Sequence, residues 1–311
     1  MINIIIPVYK AHDTIQATLH SIAMQRYAEF NTTLVVDGEE SGSYDYLKAF
    51  FDINIHYLPT NSGPAVARQY GIDNTDAEFI TFVDADDTLL TSLSLYYMQR
   101  NFTDNIVIVS NNFLEEKKDR NLHLRENDMV WMHGKMYRRS FLDKYNIRFN
   151  DSRANEDVGF NTQCQCYANE HEQIYLCKDL AYLWQWRDDS TVRTDNAAFT
   201  YDQSIEGYVK NKVYAFNNVV AIKGIDDSVK FFIMSGLTHI FIKYLKAMIR
   251  APKQVKHVHK WAKVYYKKLY KFVDDEYSDK AQQAVLNHAG LTLKEQHDEF
   301  QAWKEKLNDS R

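Results

Sequence analysis

A mostly parallel α/β sheet covered by helices on both faces, followed by a helical appendage, is the fold predicted by this 311-residue sequence. Short apolar runs alternate with helical patterns near the amino terminus; those runs are continuous, as strands buried on both faces require; and from about residue 200 long helical patterns with few breakers take over. Ile2 to Val8 reads as the first buried strand. Asp13 with Gln16 forms a capping box, and Ile15, Leu19, Ile22 and Ala23 continue from it at helical spacing. Thr33 to Val36, Ile53 to Leu58 and Glu78 to Val83 read as further strands, with helical segments near Ser43 to Phe51 and Pro64 to Ile72 between them. Ligands of such sheets sit at the carboxyl ends of the strands, here at Tyr9, Asp37, Asn61 and Asp84 to Asp87. Later, Val229, Phe232, Ile233, Leu237, Ile240, Phe241, Tyr244, Leu245 and Met248 form the apolar stripe of a core helix, which Pro252 ends. The expected division is an α/β domain over 1–200 and a helical region over 201–311, without repeats or a low-complexity linker.

With 45% hydrophobic and 25% charged positions, the chain can bury a sizeable core. Cys164, Cys166 and Cys177, an odd number without a CxxC pair, read as ordinary thiols of a reducing compartment. The apolar run in MINIIIPVYK is too short for a signal peptide, and Phe231 to Ile242 falls short of the ~20 residues of a membrane span. A cytoplasmic protein, at most peripheral at the inner face of a membrane, is the expectation. The net charge of −5 argues against a generally basic nucleic-acid binder.

The sharpest chemical signal is Phe82-Val83-Asp84-Ala85-Asp86-Asp87. Three carboxylates directly after an apolar strand repel one another unless a cation or solvent neutralises them. Mg2+ or Mn2+, held by one or two carboxylates and completed by phosphate oxygens and water, answers that need. On its own the turn reads equally well as a helix cap before Leu89 with exposed acids. Asn155-Glu156-Asp157 opens a helical pattern through Phe160; with Asn155 as cap, both acids fall in the first turn, where the helix dipole favours ionised carboxylates. Two surface acids complementing that dipole are the plainer reading.

Four blocks in order supply a context. They are Ile5-Ile6-Pro7-Val8-Tyr9 with Ser21-Ile22 and Gln25; Val35-Val36-Asp37-Gly38; Asn61-Ser62-Gly63-Pro64 through Arg68 to Asp84-Ala85-Asp86-Asp87; and Gly134-Lys135 with Arg138-Arg139 and Asn155-Glu156-Asp157. Over roughly residues 2–195 the chain resembles glycosyltransferase family 2, a group of GT-A fold. The resemblance implies an inverting, metal-dependent enzyme that moves one sugar from a nucleotide diphosphate, usually uridine diphosphate, to a hydroxyl acceptor. Pro7, Val8, Tyr9 and Asp37 would line the nucleoside pocket, with the Asp37 carboxylate accepting from the base. The family's usual Asp-Asp-Gly-Ser stands here as Asp37-Gly38-Glu39-Glu40, a departure at the ribose contacts. Asn61, Gly63 and Arg68 resemble the stretch near base and diphosphate, Gly63 permitting close backbone approach and Arg68 offering charge-assisted bonds. Asp84, Ala85 and Asp86 match the metal and ribose motif, with Asp86 the more direct metal ligand beside Asp84. Asp157 takes the role of general base and Glu156 that of its partner or an acceptor contact. Arg187, Ser190 and Thr191 resemble a loop that closes over the diphosphate, although an ordinary polar turn after an Ala181 to Trp186 strand fits them equally. His133 and Lys135 fall on the acceptor side, with packing beside Trp131 as the plainer role of His133. A single in-line displacement inverts the anomeric centre and needs no nucleophilic Ser, Cys or Lys.

Projected as one helix, Pro252 to Val273 sets Lys256, Lys260, Lys263, Lys267 and Lys271 opposite Val255, Val258, Ala262, Tyr265, Leu269 and Phe272. A solvated bundle face accounts for the lysines alone. Yet no Asp or Glu occurs from Phe231 through Val273, in a chain that is acidic overall. That asymmetry points to an anionic partner: a membrane surface with a lipid-linked acceptor, an anionic polymer such as teichoic acid, or nucleic acid, the acidic net charge counting against the last. Single-sugar transfer in the synthesis of cell-surface polysaccharide, teichoic acid or glycolipid is therefore the expected role. Two other readings stay open: phage-type glycosylation of modified DNA bases, which the lysine face permits, and a catalytically inactive nucleotide-sugar-binding protein, which intact Asp84, Asp86 and Asp157 speak against. An oligomer is compatible with the sequence.

Overall fold

The computed structural model describes residues 1–188, 204–273 and 279–308. The chain divides into two compact units, Met1–Arg193 and Thr194–Arg311. The first is built on a nine-stranded sheet. β1 (Ile2–Val8), β2 (Phe30–Asp37), β3 (Asn54–Leu58) and β4 (Phe79–Phe82) lie parallel in the order β3-β2-β1-β4. Past β4 the sheet turns mixed. β8 (Lys135–Arg138) is antiparallel to β4 and to β6 (Ile106–Glu116), β9 (Gln173–Trp184) is parallel to β6, and the short β5 (Thr88–Leu89) pairs antiparallel with β9 at the edge. β7 (Leu122–Arg125) pairs off this path with β6.

β1 lacks alternation because both its faces are covered. Ile2, Ile4, Ile6 and Val8 pack with Ile15, Leu19 and Ile22 of α1 (Ile15–Ala23) on one face. On the other, Ile5 meets α2 (Pro64–Asp73) so closely that a Cβ on Gly71 would come within 2.5 Å of its Cγ2. Each of these fully buried isoleucines contributes about 1.5–3 kcal/mol of transfer free energy. Among the described residues the unit also holds the short α3 (Ser94–Gln99) and α4 (Arg139–Lys144) and the longer α5 (Glu156–Tyr167).

Two local expectations fail in this unit. The Asp13/Gln16 capping box does not form: α1 is capped at Thr14 without a side-chain capping bond, and the Thr14 hydroxyl donates instead to the Ala11 carbonyl at 3.3 Å. The Ser43 to Phe51 segment is reduced to a 3-10 turn over Asp45–Ala49. There Tyr44 is wholly buried and its N–H donates to the Tyr57 hydroxyl at 3.1 Å, so tertiary anchoring overrides the helical spacing.

The second unit holds α6 (Ser204–Ile222), α7 (Asp227–Arg250), α8 (Val255–Leu269), α9 (Asp279–His288) and α10 (Lys294–Asn308). Asp226 caps α7 by accepting the Val229 N–H at 2.8 Å. Val229, Ile233, Leu237, Ile240 and Phe241 are buried as the stripe requires, whereas Phe232, Tyr244 and Leu245 are half-buried and Met248 is exposed. By length and composition α7 could cross a membrane, which the stretch Phe231 to Ile242 understated. Of its most apolar window, 44% is buried inside the protein. The Pro252 to Val273 segment is not one helix: Pro252–Gln254 and Tyr270–Phe272 are 3-10 turns on either side of α8. α8 buries Val258, Ala262, Tyr265 and Leu269; Lys256, Lys260 and Lys267, with Lys271 just beyond the helix, are exposed, and Lys263 is half-buried. All three cysteines are buried free thiols.

Candidate active site

The carboxyl ends of β1, β2 and β4, the start of α5 and the end of β9 carry an interlinked set of charged and aromatic side chains. Asp37, at the end of β2, is buried and accepts the backbone N–H groups of Ser62 and Gly63 on its two oxygens, both at 2.7 Å. This carboxylate, expected to face a nucleobase, thus holds the turn that starts α2. Gly38 follows with φ +76°, and a Cβ there would sit 2.0 Å from the Asn61 nitrogen. Gly38→Ala is therefore expected to lower stability by at least about 1–2 kcal/mol from the left-handed backbone alone, with the clash adding to it; a denaturant midpoint equal to that of the unaltered protein would contradict this. Arg153, not singled out by the sequence, donates to the Asn61 side-chain oxygen at 3.1 Å and to its carbonyl at 2.8 Å. Pro7 is half-buried and Val8 buried at the end of β1, while the following Tyr9 is 47% exposed.

Arg68 is the junction. Nearly buried on α2, it donates to Asp84 Oδ1 at 2.6 Å and to Glu156 Oε1 at 2.5 Å. The acid turn after β4 and the acid pair opening α5 thereby share one guanidinium. Burial alone would raise the Asp84 carboxyl, but Arg68 and His133 beside it hold it well below the usual range. Asp157, next to Glu156 and buried, goes the other way: burial and the Glu156 charge outweigh Arg68 and push it up to about 8. Asn155 is the cap residue of α5, but it acts through a left-handed backbone (φ 57°) and makes no side-chain capping bond.

His133 is buried beside the acid turn. Its Nε2 is 3.6 Å from Asp84 Oδ2 and 3.7 Å from Asp87 Oδ2, with its ring stacked on Tyr182 (centroids 4.8 Å apart) and tilted against Trp184. Burial lowers its pKa, so the neutral imidazole, a metal-binding form, is favoured. Asp84, Asp87 and His133 each offer one donor atom, and the three lie within 4.8 Å of one another. Two carboxylates and an imidazole at that spacing could hold a metal ion. The crowding around Asp87 agrees with this: burial, Asp86 and Asp84 together push its carboxyl well above the usual range. The Tyr182 hydroxyl donates to Asp87 Oδ2 at 2.7 Å and accepts the Asp84 N–H at 3.1 Å, and the Gln185 N–H donates to Asp87 Oδ1 at 2.8 Å. Asp86 faces a different neighbour: its Oδ2 is 3.5 Å from Arg187 Nη1, and its side chain is 38% exposed. Ala85 is buried, its carbonyl accepting the Thr18 hydroxyl at 3.1 Å.

Lys135 is fully buried, and its ammonium lies 3.4 Å from Asp128 Oδ1, which also accepts the N–H groups of Val130 and Trp131. It therefore braces the loop carrying Trp131 and His133 from beneath and does not reach an acceptor. Ser190 and Thr191 lie outside the described residues. Tyr182 and Gln185 join the site unannounced by the sequence, and Asp87, the third acid of the turn, lies with Asp84 and His133 where the resemblance pairs Asp84 with Asp86.

Residues 3–154 match the profile of Glycosyl transferase family 2. The putative teichuronic acid biosynthesis glycosyltransferase TuaG of Bacillus subtilis is 34% identical over 91 residues, 28% of this chain and 36% of that protein. The teichoic acid poly(glycerol phosphate) polymerase of Staphylococcus epidermidis is 26% identical over 195 residues, 56% of this chain and 27% of that protein. The chain thus spans about a third of the length of these curated relatives. Among solved structures, S. aureus TarS 1-349 in complex with UDP-GlcNAc superposes with a TM-score of 0.68 at 16% identity, covering 99% of this chain and 91% of that one. The mannosyltransferase PcManGT from Pyrobaculum calidifontis, in complex with GDP-Man and Mn2+, gives 0.51 at 13% identity, covering 99% and 85%. At these identities the likeness is one of fold.

Proposed function

We propose, from the premise that this chain belongs to glycosyl transferase family 2 and has its GT-A fold, that it is an inverting glycosyltransferase moving one sugar from a UDP-sugar to a hydroxyl of a teichoic-acid-type or related cell-surface acceptor. The observation that carries the reading is the Arg68 bridge, which brings the acid turn of β4 and the Glu156-Asp157 pair to one place at the carboxyl end of the sheet. The cell-wall roles in the names of the relatives support the acceptor class, and UDP-GlcNAc on a neighbour of the same fold supports the donor class.

In this reading Asp84, Asp87 and His133 would hold a divalent ion, and Asp86, the more exposed carboxylate of the same turn, would reach it from the donor side. A bound Mn2+ or Mg2+ would neutralise charge on the departing nucleoside diphosphate. Arg187, beside Asp86, adds a cation to that side of the site. Asp157, its affinity for a proton raised by burial and Glu156, receives the proton of the acceptor hydroxyl as the new bond to the anomeric carbon forms. Arg68 keeps Asp84 ionised and pairs with Glu156, while the Asp157 carboxyl, pushed up to about 8, can exchange its proton near neutral pH. Attack and departure on opposite faces of the sugar invert the anomeric centre.

Asp86→Ala tests the donor side. Stabilisation by uridine diphosphate in the presence of Mn2+ should largely disappear, while the melting temperature of the ligand-free protein stays within a degree or so, because Asp86 is the least buried acid of the turn. Undiminished Mn2+-dependent stabilisation in that variant would remove Asp86 from the donor site.

A further inference from the structure

We propose that the corner where α7 gives way to α8 docks on an anionic lipid bilayer. Ile249, 82% exposed, and Met248, 40% exposed, end α7 at this corner. Ile242, Leu245 and Ile249 share one face of the helix by their spacing of three and four, the first two half-buried, so the exposed tip continues an apolar strip. Lys243, Lys246 and Arg250 run beside it at the same spacing. Lys253 in the 3-10 turn and Lys256 in the first turn of α8 follow, and exposed lysines continue along α8 at Lys260 and Lys267.

One exposed isoleucine on a protein surface needs no explanation. Here it lies within a stretch, Phe231 through Val273, that contains no acidic residue. From Ser204 through Val273 the sequence has fourteen Lys and Arg against three Asp and Glu, although the whole chain carries −5. The two features are complementary at a membrane. Apolar side chains enter the boundary between headgroups and acyl chains, and the lysine stems lie along it while their ammonium groups stay with the phosphates. Neither suffices alone: two apolar side chains anchor weakly, and the field of the cations fades within a Debye length of ~8 Å at physiological ionic strength. A soluble polyanion would account for the cations but would leave Met248 and Ile249 in water, and this favours the bilayer. The surface belongs entirely to the helical unit, so the inference stands independently of the sugar-transfer reading.

The test uses the full chain and sedimentation with vesicles of phosphatidylglycerol and phosphatidylcholine in equal parts, against vesicles of phosphatidylcholine alone, over a salt series. Binding to the mixed vesicles, weakening as salt rises and negligible on the neutral ones, is the expected result. Ile249→Asn should weaken it by at least about tenfold, and Lys246→Ala, Arg250→Ala and Lys253→Ala by roughly fivefold each. Melting temperature and donor hydrolysis measured without vesicles should stay unchanged, since these side chains lie at the surface and outside the proposed active site. The proposal is overturned if the mixed vesicles are not bound at low salt, if neutral vesicles bind equally well, or if Ile249→Asn binds as the unaltered protein does. It is equally overturned if a soluble phosphodiester polymer binds while the mixed vesicles do not, which would make the partner a polymer.

Discussion

Asp157→Asn is expected to lower turnover by about 10²–10⁴-fold while leaving donor affinity almost unchanged. The substitution keeps the shape of the side chain and its capacity to accept the adjacent Val158 N–H, now 2.7 Å from Oδ1, but removes its ability to take a proton. A base acts in the transition state, so the loss should appear in kcat. The pH profile is the sharper check. With its carboxyl pushed up to about 8 by burial and Glu156, the base is mostly protonated at pH 6, and kcat/KM should rise toward that value and then level. The stability linkage has the opposite sign. The folded state keeps this proton after the unfolded chain has released it, so stability falls as pH rises from about 4 to about 8. Asp157→Asn removes that dependence, and without divalent ions the variant should become progressively more stable than the unaltered protein across that window. Wild-type turnover in the variant would hand the role to Glu156 or to another group.

Arg68→Met should be the most damaging single change to stability, at about 3–5 kcal/mol, with a fall in melting temperature of roughly 10 °C or more. It strips the shared counter-charge from Asp84 and Glu156 and leaves Asp157 beside them, two buried carboxylates and a half-buried one without their cation. The pH dependence distinguishes this cause from lost packing. In the unaltered protein the depressed Asp84 carboxyl contributes stability above the usual carboxylate range that is lost as pH falls through its folded value. Without Arg68 the folded-state carboxyls rise above their unfolded values, so the variant should regain part of its deficit as pH falls toward 5. A deficit that did not vary with pH would show that methyl-scale packing, and not charge, had been lost.

What was legible in the sequence was local. Ile2 to Val8 announces a strand covered on both faces, Pro64 starts α2 where its missing N–H costs nothing, and the acid triplet after β4 stands out in an apolar neighbourhood. The long-range partners were not legible. His133 reads as a histidine beside Trp131 and gives no sign of Asp84 or Asp87; Tyr182 falls inside the expected Ala181 to Trp186 strand with no mark of its bond to Asp87. Lys135 was misjudged for the same reason: the surroundings of Gly134-Lys135 say nothing of the Asp128 carboxylate that draws its ammonium inward. The Asp13/Gln16 box failed because capping is decided by backbone entry geometry, which residue spacing alone does not encode.

The ties that close the site are long in sequence. Arg68 reaches Glu156 across 88 residues, Tyr182 reaches Asp87 across 95, and Arg187 reaches Asp86 across 101. At ribosomal speeds of ~5–20 residues per second, the acid turn leaves the exit tunnel about 5–20 s before the strand whose tyrosine holds it. During that interval Asp84, Asp86 and Asp87 belong to a nascent chain with no Tyr182 and no α5. The order of synthesis therefore puts the acid turn and Arg68 in place first and the tyrosine that holds Asp87 last, so this corner of the unit can close only once β9 has emerged.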